Sequence, residues 1–197
     1  MNIEFRQISG LEVRAEERDG TQLLAGRGIP HNEWSEDLGG FRERIAPGAF
    51  REAIADGDIR VLYNHNPDIV LGRQSTGTAR IEEREDGVHY EVVINEEDAD
   101  AKSAAARIRR GDVSGNSFGF FVERAEDQTW EERDGMMWRT IHRAQLRELG
   151  PQTFPAYPTS DVSVRSVDAV LEEGRKWLEQ KRTHGNPDVL RRRMDLE

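Results

Sequence analysis

From Ile3 to about residue 165 the apolar residues fall in short alternating runs, and this pattern limits the fold more than any other feature. Ile3–Ile8 and Leu11–Arg14 alternate, Gln22–Ile29 is an apolar stretch ending at Pro30, and Ile59–Tyr63 is a compact run. Thr78–Glu83 and Val88–Ile94 flank Asp86-Gly87, a pair suited to a tight hairpin turn. Val88, Tyr90, Val92 and Ile94 share one face, as a half-buried strand requires. Val113–Glu123 and the region Met136–Phe154 add further strands. Two short helices interrupt them. In 47-PGAFREAIADG-57, Pro47 suits a first turn and Gly57 a stop. In 98-DADAKSAAARIRRG-111, acids open an Ala-rich helix, basic residues end it and Gly111 closes it. The pattern predicts a mixed α/β, mainly β fold: a closed or nearly closed β-barrel with peripheral helices.

The end of the chain has a different period. Val167, Val170, Leu171 and Leu178 recur at helical spacing, so an amphipathic helix is expected from about Val167. Gly185-Asn186-Pro187 and the run Arg191-Arg192-Arg193 read as a loose tail. Residues 1–165 are therefore expected to form the β-barrel domain and 166–197 a C-terminal helix and basic tail. Between Arg175 and Arg193 seven basic residues face only Glu179 and Asp188, which suits docking on an acidic helical partner.

Composition narrows the chemistry. Lys and Arg number 28 against 38 Asp and Glu, a net charge of −10, which argues against a protein that coats nucleic acid. With no cysteine, disulfides, thiolate nucleophiles and Cys-ligated zinc are excluded. No run approaches the roughly 20 apolar residues of a membrane span, and the charged start MNIEFRQISG does not read as a signal peptide. A soluble protein is expected, with no membrane partner. There is no HExxH, no phosphate loop and no GxGxxG, so neither a metal nor a cofactor is expected. Nucleophilic catalysis must then rest on Ser, Thr, Lys or a carboxylate.

The most informative stretch is 111-GDVSGNSFGFFVE-123. As a strand it puts Val113, Gly115, Ser117, Gly119 and Phe121 on one face, and Phe118 and Phe120 on the other. Ser117 thus sits between two glycines, in a lane where an extended peptide could lie. A β-bulge or barrel corner with an incidental serine fits the same pattern. His65 ends the run 59–63 within 61-VLYNHNPDIVLGR-73, and histidine is the usual base for a serine. A polar surface turn has the same composition. The other histidines are His31, His89, His142 and His184.

Taken together, 44-RIAPGAF-50, 61-VLYNHNPDIVLGR-73, 111-GDVSGNSFGF-120 and 148-ELGPQTFPAYP-158 resemble the prohead proteases of tailed phages. These are serine proteases of capsid maturation, similar in fold to the herpesvirus assembly proteases. The likeness covers about residues 20 to 165. It implies Ser117 as nucleophile, His65 as general base and Glu148 as the acid that orients His65. The herpesvirus enzymes use a second histidine in that third place, which keeps His89 and His142 open. Gly150-Pro151 departs from the usual strand continuation after the acid. The oxyanion donors are not identified by the resemblance, though the loop near Phe154–Tyr157 is a candidate. The implied partners are the major capsid protein and its scaffolding segment, with self-cleavage and possible self-association. The implied place is the interior of the immature capsid in the bacterial host cytoplasm. The alternative is a non-catalytic capsid-assembly or scaffold protein that keeps the fold.

Overall fold

The computed structural model describes residues 3–8, 13–154 and 164–184. Twelve strands appear in the described chain: β1 (Glu4–Ile8), β2 (Val13–Arg18), β3 (Thr21–Pro30), β4 (Phe41–Ile45), β5 (Arg60–Tyr63), β6 (Asn66–Arg73), β7 (Ala79–Arg84), β8 (Gly87–Val93), β9 (Gly115–Phe121), β10 (Gln128–Arg133), β11 (Met136–Ile141) and β12 (Gln145–Gln152). Three α-helices accompany them: α1 (Arg51–Asp56), α2 (Ala99–Arg110) and α3 (Val164–His184).

The mainly β character is as expected, but the closed or nearly closed barrel is not found. The strands divide into a five-stranded sheet, β1-β9-β12-β5-β6, a four-stranded sheet, β2-β3-β8-β7, and a three-stranded sheet, β10-β11-β4. None closes on itself. The reason lies in α2, whose buried Ala101, Ala104, Ala105 and Ile108 join the main core. This helix packs against both β2 and β6, the outer strands of two different sheets. A helix therefore covers the gap that strand pairing would have to bridge. Its start is capped by Asp98, whose side chain accepts from the N–H groups of Asp100 and Ala101.

The main core lies between the five- and four-stranded sheets. Leu24, Val61, Val88, Tyr90, Val92, Phe118, Phe120 and Leu149 are all buried there. On β3, Gly28 leaves room for the Leu149 side chain of β12. The Tyr90 hydroxyl crosses from β8 to donate to Asn116 Oδ1 on β9 at 2.7 Å. Burial pushes the Tyr90 phenol up, so it stays a donor. The hairpin between β7 and β8 turns at Glu85-Asp86, one residue before the expected pair. Gly87 opens β8 because any side chain there would meet the Ile29 carbonyl of β3.

The terminal helix starts at Val164, a little before its expected start. Its apolar side, Val167, Val170, Leu171, Trp177 and Leu178, packs with Phe41, Trp130 and Met137 of the three-stranded sheet. Gly174 lets the helix approach, since a Cβ there would lie 2.8 Å from the Trp130 ring. The apolar face of the expected amphipathic helix is thus covered by the chain's own sheet. The basic run 191–193 lies outside the described residues.

Candidate active site

Strand β9 holds Ser117 and β12 runs antiparallel beside it. Cross-strand pairs are Glu148 with Gly119, Gly150 with Ser117 and Gln152 with Gly115. On the other side β1 pairs Phe5 with Gly119 and Gln7 with Ser117. Paired residues point the same way, so Phe5, Gln7, Ser117, Gly119, Glu148 and Gln152 share one face. The reverse face carries Phe118 and Phe120, stacked with centroids 5.4 Å apart and capped by Phe50. These rings fix the strand to the core and so fix Ser117, which is 1% exposed.

His65 reaches this face from the tip of the β5–β6 hairpin. Tyr63 pairs with Asn66, which leaves Asn64 and His65 as a two-residue turn. Both have positive φ, 55° and 57°, the signature of a type I′ turn. Positive φ is uncommon outside glycine, and although Asn and His adopt it more readily than most residues, the turn holds modest local strain. It carries the imidazole against β12, where His65 Nδ1 lies 2.6 Å from Glu148 Oε1. A carboxylate accepts, so Nδ1 is the donor, and in the neutral ring Nε2 is then left with a lone pair. The Phe5 ring meets the imidazole edge-on, with centroids 4.8 Å apart.

Gly119 makes the arrangement possible. A Cβ at that position would lie 2.9 Å from Glu148 Oε1 and 2.9 Å from the Phe5 ring. Gly150 does the same two pairs further on, where a side chain would run into the Leu62 carbonyl of β5. The departure at Gly150-Pro151 does not interrupt β12, which continues to Gln152.

Buried polar atoms without a hydrogen bond are uncommon in folded proteins and mark sites of function or strain. Three of them among the described residues belong to this face: His65 Nε2, Glu148 Oε2 and Gln152 Oε1. Because Nε2 is unpartnered, no hydrogen bond joins it to Ser117 in this conformation. The structure therefore brings His65 and Glu148 into contact and sets Ser117 on their face. It brings neither of the other candidate histidines there. His89 lies on β8 with Asp86 Oδ1 at 2.8 Å, and His142 follows β11 with Thr129 Oγ1 at 2.9 Å. Of the loop near Phe154–Tyr157, Phe154 is exposed and residues 155–157 lie outside the described residues. No cluster suited to a metal ion is found among the described residues.

Over residues 9–173 the sequence matches the family model of the caudovirus prohead serine proteases. The chain belongs to that family. It is a member of a group of bacteriophage serine proteases of prohead maturation. Among solved structures it is similar to the bacteriophage T4 capsid assembly protease. The TM-score is 0.46 at 10% identity, over 76% of this chain and 96% of that one. A comparison with curated proteins gives no match.

Proposed function

We propose that this prohead protease is a serine endopeptidase in which Ser117 attacks the scissile carbonyl. His65 is its general base and Glu148 holds and stabilises His65. The observation that carries the reading is the 2.6 Å contact of His65 Nδ1 with Glu148, which leaves Nε2 free on the face of Ser117. Catalytic hydrogen bonds often tighten only when substrate binds, so an unmade Ser117–His65 bond is compatible with this role.

In the first half-reaction Nε2 takes the Ser117 proton as Oγ adds to the peptide carbonyl. The imidazolium then gives that proton to the leaving amine, and an acyl-enzyme remains. In the second half water gives a proton to Nε2 as its oxygen adds to the acyl carbon, and the imidazolium returns that proton to Ser117 Oγ as the acid is released. Glu148 keeps its contact with Nδ1 throughout and lowers the energy of the imidazolium. The substrates on this reading are capsid-protein and scaffolding segments, and the chain itself. The site of action is the interior of the immature capsid in the host cytoplasm.

The test treats the full chain with diisopropyl fluorophosphate and maps the adduct by mass spectrometry. It also compares cleavage of co-expressed capsid protein by wild type and Ser117→Ala. The expected adduct is on Ser117, and cleavage falls on the order of 10⁶-fold in the variant. An adduct on Ser114, or undiminished cleavage by Ser117→Ala, removes Ser117 from the mechanism. An inert wild type with an intact fold favours the non-catalytic assembly protein.

A further inference from the structure

The turn that carries His65 is fastened to β12 by Asn64, the residue before it. The Asn64 N–H donates to the Pro151 carbonyl at 3.0 Å, and Asn64 Oδ1 accepts from the Thr153 N–H at 2.8 Å. Tyr63, on the other side of Asn64, adds a contact of its hydroxyl with Thr153 Oγ1 at 3.2 Å. The first bond ends on β12 itself, three residues beyond Glu148, and the second on Thr153, the residue that follows the strand. The strain noted above has a direct bearing here. Negative φ is open to any non-glycine residue at the second position of such a turn, and it would carry the His65 ring away from Glu148. Intrinsic preference for the turn would put glycine there.

We propose that Asn64 is a positioning residue that sets the His65–Glu148 contact by clamping the strained turn to β12. The proposal rests on the reading of His65 as the base. Asn64 touches neither substrate nor reacting atoms in this role. It acts by holding two elements in one register, and a misplacement of about 1 Å can cost on the order of 100-fold in rate. Asparagine combines the two properties the position needs, tolerance of positive φ and a short side chain that accepts.

The experiment uses three variants of the full chain. Asn64→Asp keeps the acceptor toward Thr153, Asn64→Gly keeps the backbone freedom and loses the acceptor, and Asn64→Ala loses both. The readouts are kcat and KM for co-expressed or purified capsid protein, melting temperature, and the far-downfield proton resonance of the His65–Glu148 hydrogen bond. Asn64→Gly should lower kcat about 10- to 100-fold with little change in KM. It should broaden or lose the downfield resonance while the melting temperature stays within a few degrees of wild type. Asn64→Asp should recover most of the rate and the resonance. A role confined to stability predicts the opposite, a lower melting temperature with an intact resonance and unchanged kcat per folded molecule. That result, or an Asn64→Gly enzyme with wild-type kcat, overturns the proposal. Diisopropyl fluorophosphate separates the two readings. If it fails to label Ser117 in the wild type, the catalytic reading falls and this one with it. If Ser117 is labelled at the wild-type rate in Asn64→Gly, the positioning role alone falls.

Discussion

Strand β1 serves two sets of ionisable groups, one on each face of the five-stranded sheet, and they are built on opposite rules. On one face Glu4 and Arg6 meet Glu43 of β4 and Arg139 of β11. Arg139 donates to Glu4 Oε2 at 2.6 Å, Glu4 Oε1 at 3.0 Å, Glu43 Oε2 at 2.8 Å and Gln128 Oε1 at 2.6 Å. Arg6 donates to the same two carboxylates at 2.6 to 3.0 Å. Two positive and two negative charges cancel, and Gln128 extends the network to Glu173 of α3. On the opposite face Phe5 packs on a pair, His65 and Glu148, that keeps an atom of each residue unpartnered. The quartet is satisfied and, through Gln128 of β10, its network joins four strands and a helix. The pair is left unsatisfied where chemistry is proposed. Polar groups in a protein interior are held by partners or reserved for work, and here the two uses stand back to back.

The largest effect expected from breaking this comparison is on the pair. Glu148→Gln keeps the shape but offers an amide that can donate to Nδ1, which would place the imidazole proton on Nε2, where the base must be free. Turnover should fall on the order of 10⁴-fold, with melting temperature little changed. Steady-state cleavage and calorimetry check this together. Equal loss of stability and rate would make Glu148 a structural acid like Glu4.

The quartet should answer in the other way. Arg139→Met strips two buried carboxylates of their shared cation and should cost about 3–5 kcal/mol of stability. Per folded molecule, kcat should hold. The quartet also sets a pH dependence. Burial alone would raise the Glu4 carboxyl, but Arg139 and Arg6 outweigh it and hold the group below its ordinary value of 4.5. A depressed folded value gives stability that is present above pH 4.5 and lost as the pH falls through the folded value. Wild type should therefore lose melting temperature on acidification below about pH 4.5, and Glu4→Gln should show a shallower slope. An identical slope in both would place the acid sensitivity elsewhere.

The two regions were unequally visible in the sequence. Ser117 between glycines, with phenylalanines on the reverse side, is a local pattern, and alternation alone assigns its face. The buried face of β8 and the cap of α2 are equally local. The contact of His65 with Glu148 spans 83 residues, so no periodicity encodes it; only the likeness of sequence blocks pointed there. The quartet went unread because Glu4, Arg6, Glu43 and Arg139 resemble the solvated charges common in this acidic chain. Alternation did offer a signal, since it puts Glu4 and Arg6 on the same side of β1, opposite Phe5. Barrel closure was misjudged for a related reason. Strand patterns report which faces are buried, and they are silent on whether a helix such as α2 lies between two sheet edges.

The smallest predicted effect is the most selective, because it acts on one face alone. Gly119→Ala places a methyl group 2.9 Å from Glu148 Oε1 and 2.9 to 3.2 Å from the Phe5 ring, closer than carbon atoms sit in real structures. One of the two neighbours must move. Glu148 is held by His65, and the Phe5 ring rests on His65, so either displacement disturbs the imidazole. The quartet lies across the sheet and is untouched. Overpacking of this kind costs about 1–3 kcal/mol, and much of it should appear in the pair's geometry. We therefore expect kcat to fall about 10- to 100-fold, at 1.4 kcal/mol for each factor of ten, with a melting temperature lowered by only a few degrees. The second substitution Phe5→Leu tells which neighbour yields. If the ring is displaced, the smaller leucine relieves the clash and the double variant recovers much of the lost rate. If the carboxylate is displaced, Phe5→Leu adds its own loss. A Gly119→Ala enzyme with wild-type kcat would mean that the pair tolerates displacement. The contrast between a rigid, satisfied quartet and a finely set catalytic pair would then fail on the catalytic side.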